Sequence, residues 1–99
     1  MPKYDNKDLR RSILETLAYV PYFPHRSRAI LNSLRPTGYP DLTDVGLWGQ
    51  IKYLEEKGYV KTERSRNIVT EDEVMLVSIT AKGIDLLEGN CTDIGVACG

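Results

Sequence analysis

The chain has little of what enzymatic chemistry is usually built from. Its histidine count is one, His25, and it holds no G-x-S-x-G, no glycine-rich phosphate loop and no H-E-x-x-H. Acid-base, nucleophilic and metal chemistry therefore lack their customary groups, and the expectation is a protein that is not an enzyme and takes no cofactor. Its two cysteines, Cys91 and Cys98, sit near the end of the chain with no histidine beside them. A structural zinc site normally takes four ligands, so no metal is expected. The thiols read as reduced and incidental, or as disulfide partners under oxidising conditions. No apolar run approaches the roughly 20 residues of a membrane helix, and the polar start MPKYDNKDLRR has no apolar segment behind its charges. A cytoplasmic protein without membrane contact is expected. Internal repeats and low-complexity tracts are also absent.

What is present is the composition of an ordinary globular domain: 99 residues, 41% hydrophobic and 27% charged. That is enough for one core and too little to wall in a deep active site. The net charge of −1 is unevenly spread. Residues 1–39 carry seven Lys/Arg against three Asp/Glu, and residues 40–99 carry six against eleven. A folded surface can therefore be basic on one face although the whole is not. The bland alternative is solvated charge with no partner.

Taken in order, the segment from about Asn6, a capping residue, places Leu9, Ile13, Leu17 and Val20 on one helical face. Pro21 and Pro24 end that helix, and Tyr22-Phe23 between them are expected to fold back onto the core. A second helix runs from His25 or Arg26 to Leu34 with Ala29, Ile30, Leu31 and Leu34 buried. Arg26 and Arg28 in its first turn oppose the helix dipole unless an anion is near. The stretch RPTGYPDLT reads as a kinked loop that Tyr39 pins to the surface.

A third helix starts at Asp41 or Thr43, buries Leu47, Ile51 and Leu54, and ends at Lys57-Gly58, a cation and then a residue that accepts positive φ. Gly46 and Gly49 inside it each cost roughly 1 kcal/mol relative to alanine. They imply close approach of another backbone, from a helix or from DNA, or else an irregular first turn. A β-hairpin follows, with strands over 59–64 and 74–79 and a loop over 65–73. The returning strand VMLVSI covers the core. Thr80 caps a short helix, AKGIDLLE, with Ile84 and Leu87 inward. The domain spans 1–90, and 91–99 is a C-terminal tail, either a docked extension or a dimer arm.

The passage LEEKGYV, a helix running through glycine into a strand, resembles the recognition helix and first wing strand of winged helix-turn-helix proteins of the MarR, ArsR and PadR type. VSITAKGIDLLEG resembles their returning wing strand and closing helix. The likeness covers the C-terminal half well and the N-terminal half by helix order only. The overall look is nearest to small phage or prophage regulators. RPTGYPDLT departs from the family, being longer than the 3–4-residue turn of a compact helix-turn-helix.

The resemblance implies an α+β fold, a three-helix bundle with a β-hairpin wing and a short C-terminal helix. It also implies a sequence-specific transcriptional regulator that binds double-stranded DNA as a homodimer. The third helix would enter the major groove and the wing would touch the backbone or minor groove. Carried over, Thr43, Gly46, Trp48, Gln50 and Lys52 lie on or near the outward side with Tyr53 flanking. Gln50 suits an adenine edge and Lys52 guanine or phosphate. Trp48 is either core, a protein-binding anchor or a contact to a thymine methyl. Arg64, Arg66 and Asn67 suit a narrow minor groove or phosphates, opposed by Glu71-Asp72-Glu73 across the hairpin. Arg26 and Arg28 extend the basic surface. The alternative is a protein-interaction module that keeps the fold without DNA binding.

Overall fold

The structure, a computed structural model, describes residues 5–66, 69 and 73–98. Helix α1 (Asn6–Ala18) is capped by Asp5, whose carboxylate accepts from the Lys7 N–H, one residue earlier than the sequence suggests. It buries Leu9, Ile13, Leu14 and Leu17. Val20 falls beyond the helix end and is half exposed. Tyr22 and Phe23 stand out in solvent at 62% and 59% exposure, so the expected return of these rings to the core does not occur. Tyr22 has φ +66, a left-handed conformation that a bulky residue rarely takes.

A two-residue strand, β1 (His25–Arg26), comes where the sequence suggests the start of a helix. It pairs antiparallel with the later strand, His25 opposite Val77 and Arg26 opposite Leu76. Helix α2 (Ser27–Leu34) follows and buries Ile30, Leu31 and Leu34. Ala29 is exposed, because at about 100° per residue it lies on the far side of the helix from the stripe of Ile30, Leu31 and Leu34. A 3-10 turn over Arg35–Thr37 then carries the chain into the long loop. Tyr39 holds that loop by sharing a hydrogen bond with Ser12 (3.0 Å), and Leu42 seats in the core.

Helix α3 (Asp44–Glu56) is capped by Thr43, which accepts from the Gly46 N–H at 3.1 Å. Gly46 is thus in the first turn, where its cost is least. Gly58, at φ +84, ends the helix as expected. Strands β2 (Val60–Arg66) and β3 (Glu73–Ile79) form the hairpin, and the sheet order is β1-β3-β2. Val77 and Ile79 of β3 complete the core with Val60 of β2.

Thr80 caps α4 (Ala81–Leu87) by accepting from the Gly83 N–H. Leu86 is its buried apolar residue, while Ile84 and Leu87 are half-buried against the core. At Gly83 a Cβ would lie 2.3 Å from the Tyr59 carbonyl oxygen, so only glycine lets α4 sit this close. Residues 91–98 lie back on the bundle. Val96 is buried, the Ala97 N–H donates to the Lys7 carbonyl, and Arg10 donates to the Gly95 carbonyl at 2.9 Å. The segment is therefore a docked extension. Among the described residues no helix is long and apolar enough to cross a membrane.

Candidate nucleic-acid interface

The surface of α3 divides into three by helical geometry. At about 100° per residue, a core side centred on Leu47, Ile51 and Leu54 leaves Val45, Gly49, Lys52 and Glu56 directly opposite. These four are exposed, Val45 to 82%. Nothing lies within 4 Å of where a Gly49 Cβ would be, so no part of this chain requires glycine there.

One flank of α3 turns toward α1 and the tail. Gln50 accepts from the Arg10 guanidinium at 2.8 Å and donates to Asn6 at 3.3 Å. Arg10 in turn lies 3.7 Å from the centre of the Tyr53 ring. The hydroxyls of Tyr53 and Tyr59 both donate to Asp93, at 3.1 and 2.7 Å. Burial raises Tyr59 to about 12, helped by the hydrogen bond and negative charge of Asp93. At Asp93 burial acts to raise the carboxyl. Hydrogen bonds from Tyr59, the Gly95 N–H and Tyr53, with the charge of Lys57, outweigh it and hold the group below the usual carboxylate range. Gln50, expected on the outward side, and Tyr53, expected to flank it, are thus half-buried and hydrogen-bonded within the fold, which corrects the placement of Gln50.

The other flank faces the hairpin. Thr62 of β2 hydrogen-bonds Glu55 of α3, so the hairpin face that carries Thr62 looks at the helix. Side chains alternate along a strand, so Arg64 and Arg66 follow Thr62 on that face. Trp48, half-buried, fills the space between. It lines one hollow with Ser27, Asp44, Leu47, Ile51 and Met75, and a second with Arg64, Glu73, Val74 and Met75. A third adjoining hollow is lined by Arg26, Arg28, Asp44, Glu73 and Met75, among others. All three share Met75. The fold therefore gathers Arg26, Arg28, Arg64 and Trp48 around the start of β3, with Asp44 and Glu73 among them.

Arg28 pairs with Asp44 at 3.7 Å, both largely exposed. Such a pair is worth about 0–1 kcal/mol, little enough for a phosphate to displace the carboxylate. Arg66 lies opposite Glu73 in the strand register. Thr43 is the helix cap and is exposed. Asn67 lies outside the described residues, as do Glu71 and Asp72.

No family model and no curated protein matches the sequence. Among solved structures, the chain is similar to "putative transcriptional regulator TA0346" from Thermoplasma acidophilum. The TM-score is 0.69 and the identity 22%, over 82% of this chain and 72% of that one. The fold is a winged helix. In those terms α3 occupies the recognition-helix position, β2 and β3 form the wing, and β1 is the short strand that completes the sheet. Sequence reasoning missed Val45 and Gly49 as outward residues of α3. The signal was available, because both lie opposite the midpoint of Leu47, Ile51 and Leu54 on a helical wheel.

Proposed function

We propose that this protein is a transcriptional regulator that binds double-stranded DNA, with α3 in the major groove and the wing on the flanking backbone. It is a binding protein and not an enzyme. The observation that carries the reading is the convergence of Arg26, Arg28 and Arg64 beside the exposed Val45-Gly49-Lys52 stripe of α3. Arginines beside a helix supply the phosphate contacts that fix its register on a duplex. A stripe of small or flexible side chains lets the helix backbone come close to base edges. Val45 is suited to a thymine methyl and Lys52 to guanine or phosphate, giving sequence preference from few contacts.

Gly49 tests this directly. Gly49→Leu fills open space, so the protein should become more stable by roughly 0.5–1 kcal/mol through helix propensity. Its affinity for a selected duplex, followed by fluorescence anisotropy, should nevertheless fall by at least about tenfold, a steric loss of some 1.4 kcal/mol. Unchanged affinity with raised stability would remove α3 from the interface.

The competing reading, a protein-interaction module, draws on Trp48 beside the carboxylates of Asp44 and Glu73. It predicts no binding of duplex at low salt and association with a protein partner that Trp48→Ala abolishes.

A further inference from the structure

Asp44 carries the wrong sign of charge for a polyanion, and it stands where a docked helix would meet base edges. It is the first residue of α3, and in helix-turn-helix docking the N-terminal residues of the inserted helix are those that contact bases. Thr43 already serves the Gly46 N–H, so the cap does not occupy the Asp44 carboxylate. That side chain is 63% exposed, and its described ion pair is with Arg28, at 3.7 Å. The two share one hollow with Arg26 and Ser27.

On a duplex, Arg28 has a better partner than Asp44. A phosphate accepts charge-assisted hydrogen bonds from a guanidinium through two oxygens, whereas an exposed pair at 3.7 Å is worth little. Once Arg28 turns to the backbone, Asp44 is left as a negative charge among phosphates. That is unfavourable for every sequence unless a base supplies an N–H donor. In the major groove guanine presents the acceptors N7 and O6, and thymine presents O4 and a methyl group. Adenine sets its amino group beside the N7 acceptor, which opposes the second carboxylate oxygen. Cytosine offers its N4 amino group with no acceptor of its own in the groove, and it is the base that suits a carboxylate. Glu73 is placed differently. It stands on the wing, opposite Arg66 in the strand register, and so keeps a cation of its own.

We infer that Asp44 is a specificity-determining residue, which admits cytosine at one position of the bound site and penalises the other three bases there. This role rests on the DNA-binding reading, which seats α3 in the major groove. Discrimination of this kind works by repelling wrong partners as much as by attracting the right one. It fits a surface on which general attraction by arginines is tempered by a carboxylate.

Selection of complexes from a pool of randomised duplexes, followed by sequencing of the bound fraction, reads the preference at every position. In the wild type one position should favour cytosine by at least about fivefold over each other base. Asp44→Ala should level that position by raising the affinity of the duplexes that lack cytosine. Asp44→Asn should turn it toward adenine, whose N6 and N7 match an amide. Preferences at other positions should hold, and so should the melting temperature, because the side chain is exposed. Arg28→Ala should weaken binding to all sequences alike and leave the cytosine preference in place. A wild type that binds duplex without any cytosine position overturns the role of Asp44 alone. So does an Asp44→Ala profile that equals the wild-type one, or that is raised by one factor for every sequence. A wild type that binds no duplex at low salt overturns the DNA reading itself, and this role with it.

Discussion

Asp93 is the residue on which the tail depends. One carboxylate accepts from the hydroxyls of Tyr53 and Tyr59 and, at 2.7 Å, from the Gly95 N–H. Tyr59 is only 4% exposed, so Asp93→Ala leaves its hydroxyl without a partner. The expected loss is about 1–3 kcal/mol in urea denaturation. The two groups also set a pH window. The carboxyl of Asp93 is held low in the fold, so its contribution is present above the unfolded value of about 3.9 and lost as pH falls through the folded one. Tyr59 titrates in the opposite sense. Its pKa rises from 10.0 to about 12, so its contribution is whole below 10.0 and lost as pH climbs through about 12. Ultraviolet titration should therefore find one tyrosine ionising near 12 in the wild type and lower, though still raised by burial, in Asp93→Ala. The same network changes what is expected of Gln50. Gln50→Ala should cost roughly 0.5–1.5 kcal/mol of stability by stripping Arg10 of an acceptor. The ratio of specific to random DNA affinity should stay unchanged, whereas loss of an adenine contact would lower that ratio.

Among the elements, those with strong periodicity or distinct ends were legible in the sequence. Leu47, Ile51 and Leu54 followed by Lys57-Gly58 marked α3, and the aromatic and β-branched residues of 59–64 with the apolar run of 74–79 marked the hairpin within a residue or two at each end. Strand β1 was not legible, because two residues have no period and His25–Arg26 becomes a strand only by pairing with Leu76 and Val77. The outward stripe of α3 was misjudged because polarity was weighed above angle. Gln50 and Tyr53 are polar yet face Arg10, and Val45 and Gly49 are apolar or bare yet face solvent. The docking of residues 91–98 was unreadable for another reason: Tyr53 and Asp93 are 40 positions apart, and no local pattern announces their meeting. At α4 the prediction concerns packing. Gly83→Ala places a Cβ against the Tyr59 carbonyl and should cost at least about 1–3 kcal/mol, read as a lowered melting temperature. Gly49→Ala, in open space, should raise stability instead.

At the scale of the whole molecule the question is how a chain of net charge −1 could hold a polyanion, as the proposed function requires. Overall charge matters less than its arrangement. Arg26, Arg28 and Arg64 come from three separate elements and meet only in the folded state, which is why residue counts gave no more than a hint in the basic N-terminal third. Asp44 and Glu73 lie among them and temper the field, so binding should be modest in strength and steep in salt. The most direct measurement is a titration of a labelled duplex over a salt series, with the wild type beside the triple variant Arg26→Ala, Arg28→Ala, Arg64→Ala. Each neutralised phosphate contributes a slope of about −0.9 in log affinity against log salt, so the variant should bind more weakly with a slope shallower by about 2–3. Absence of wild-type binding at low salt, or equal slopes for the two proteins, would contradict DNA recognition by this surface.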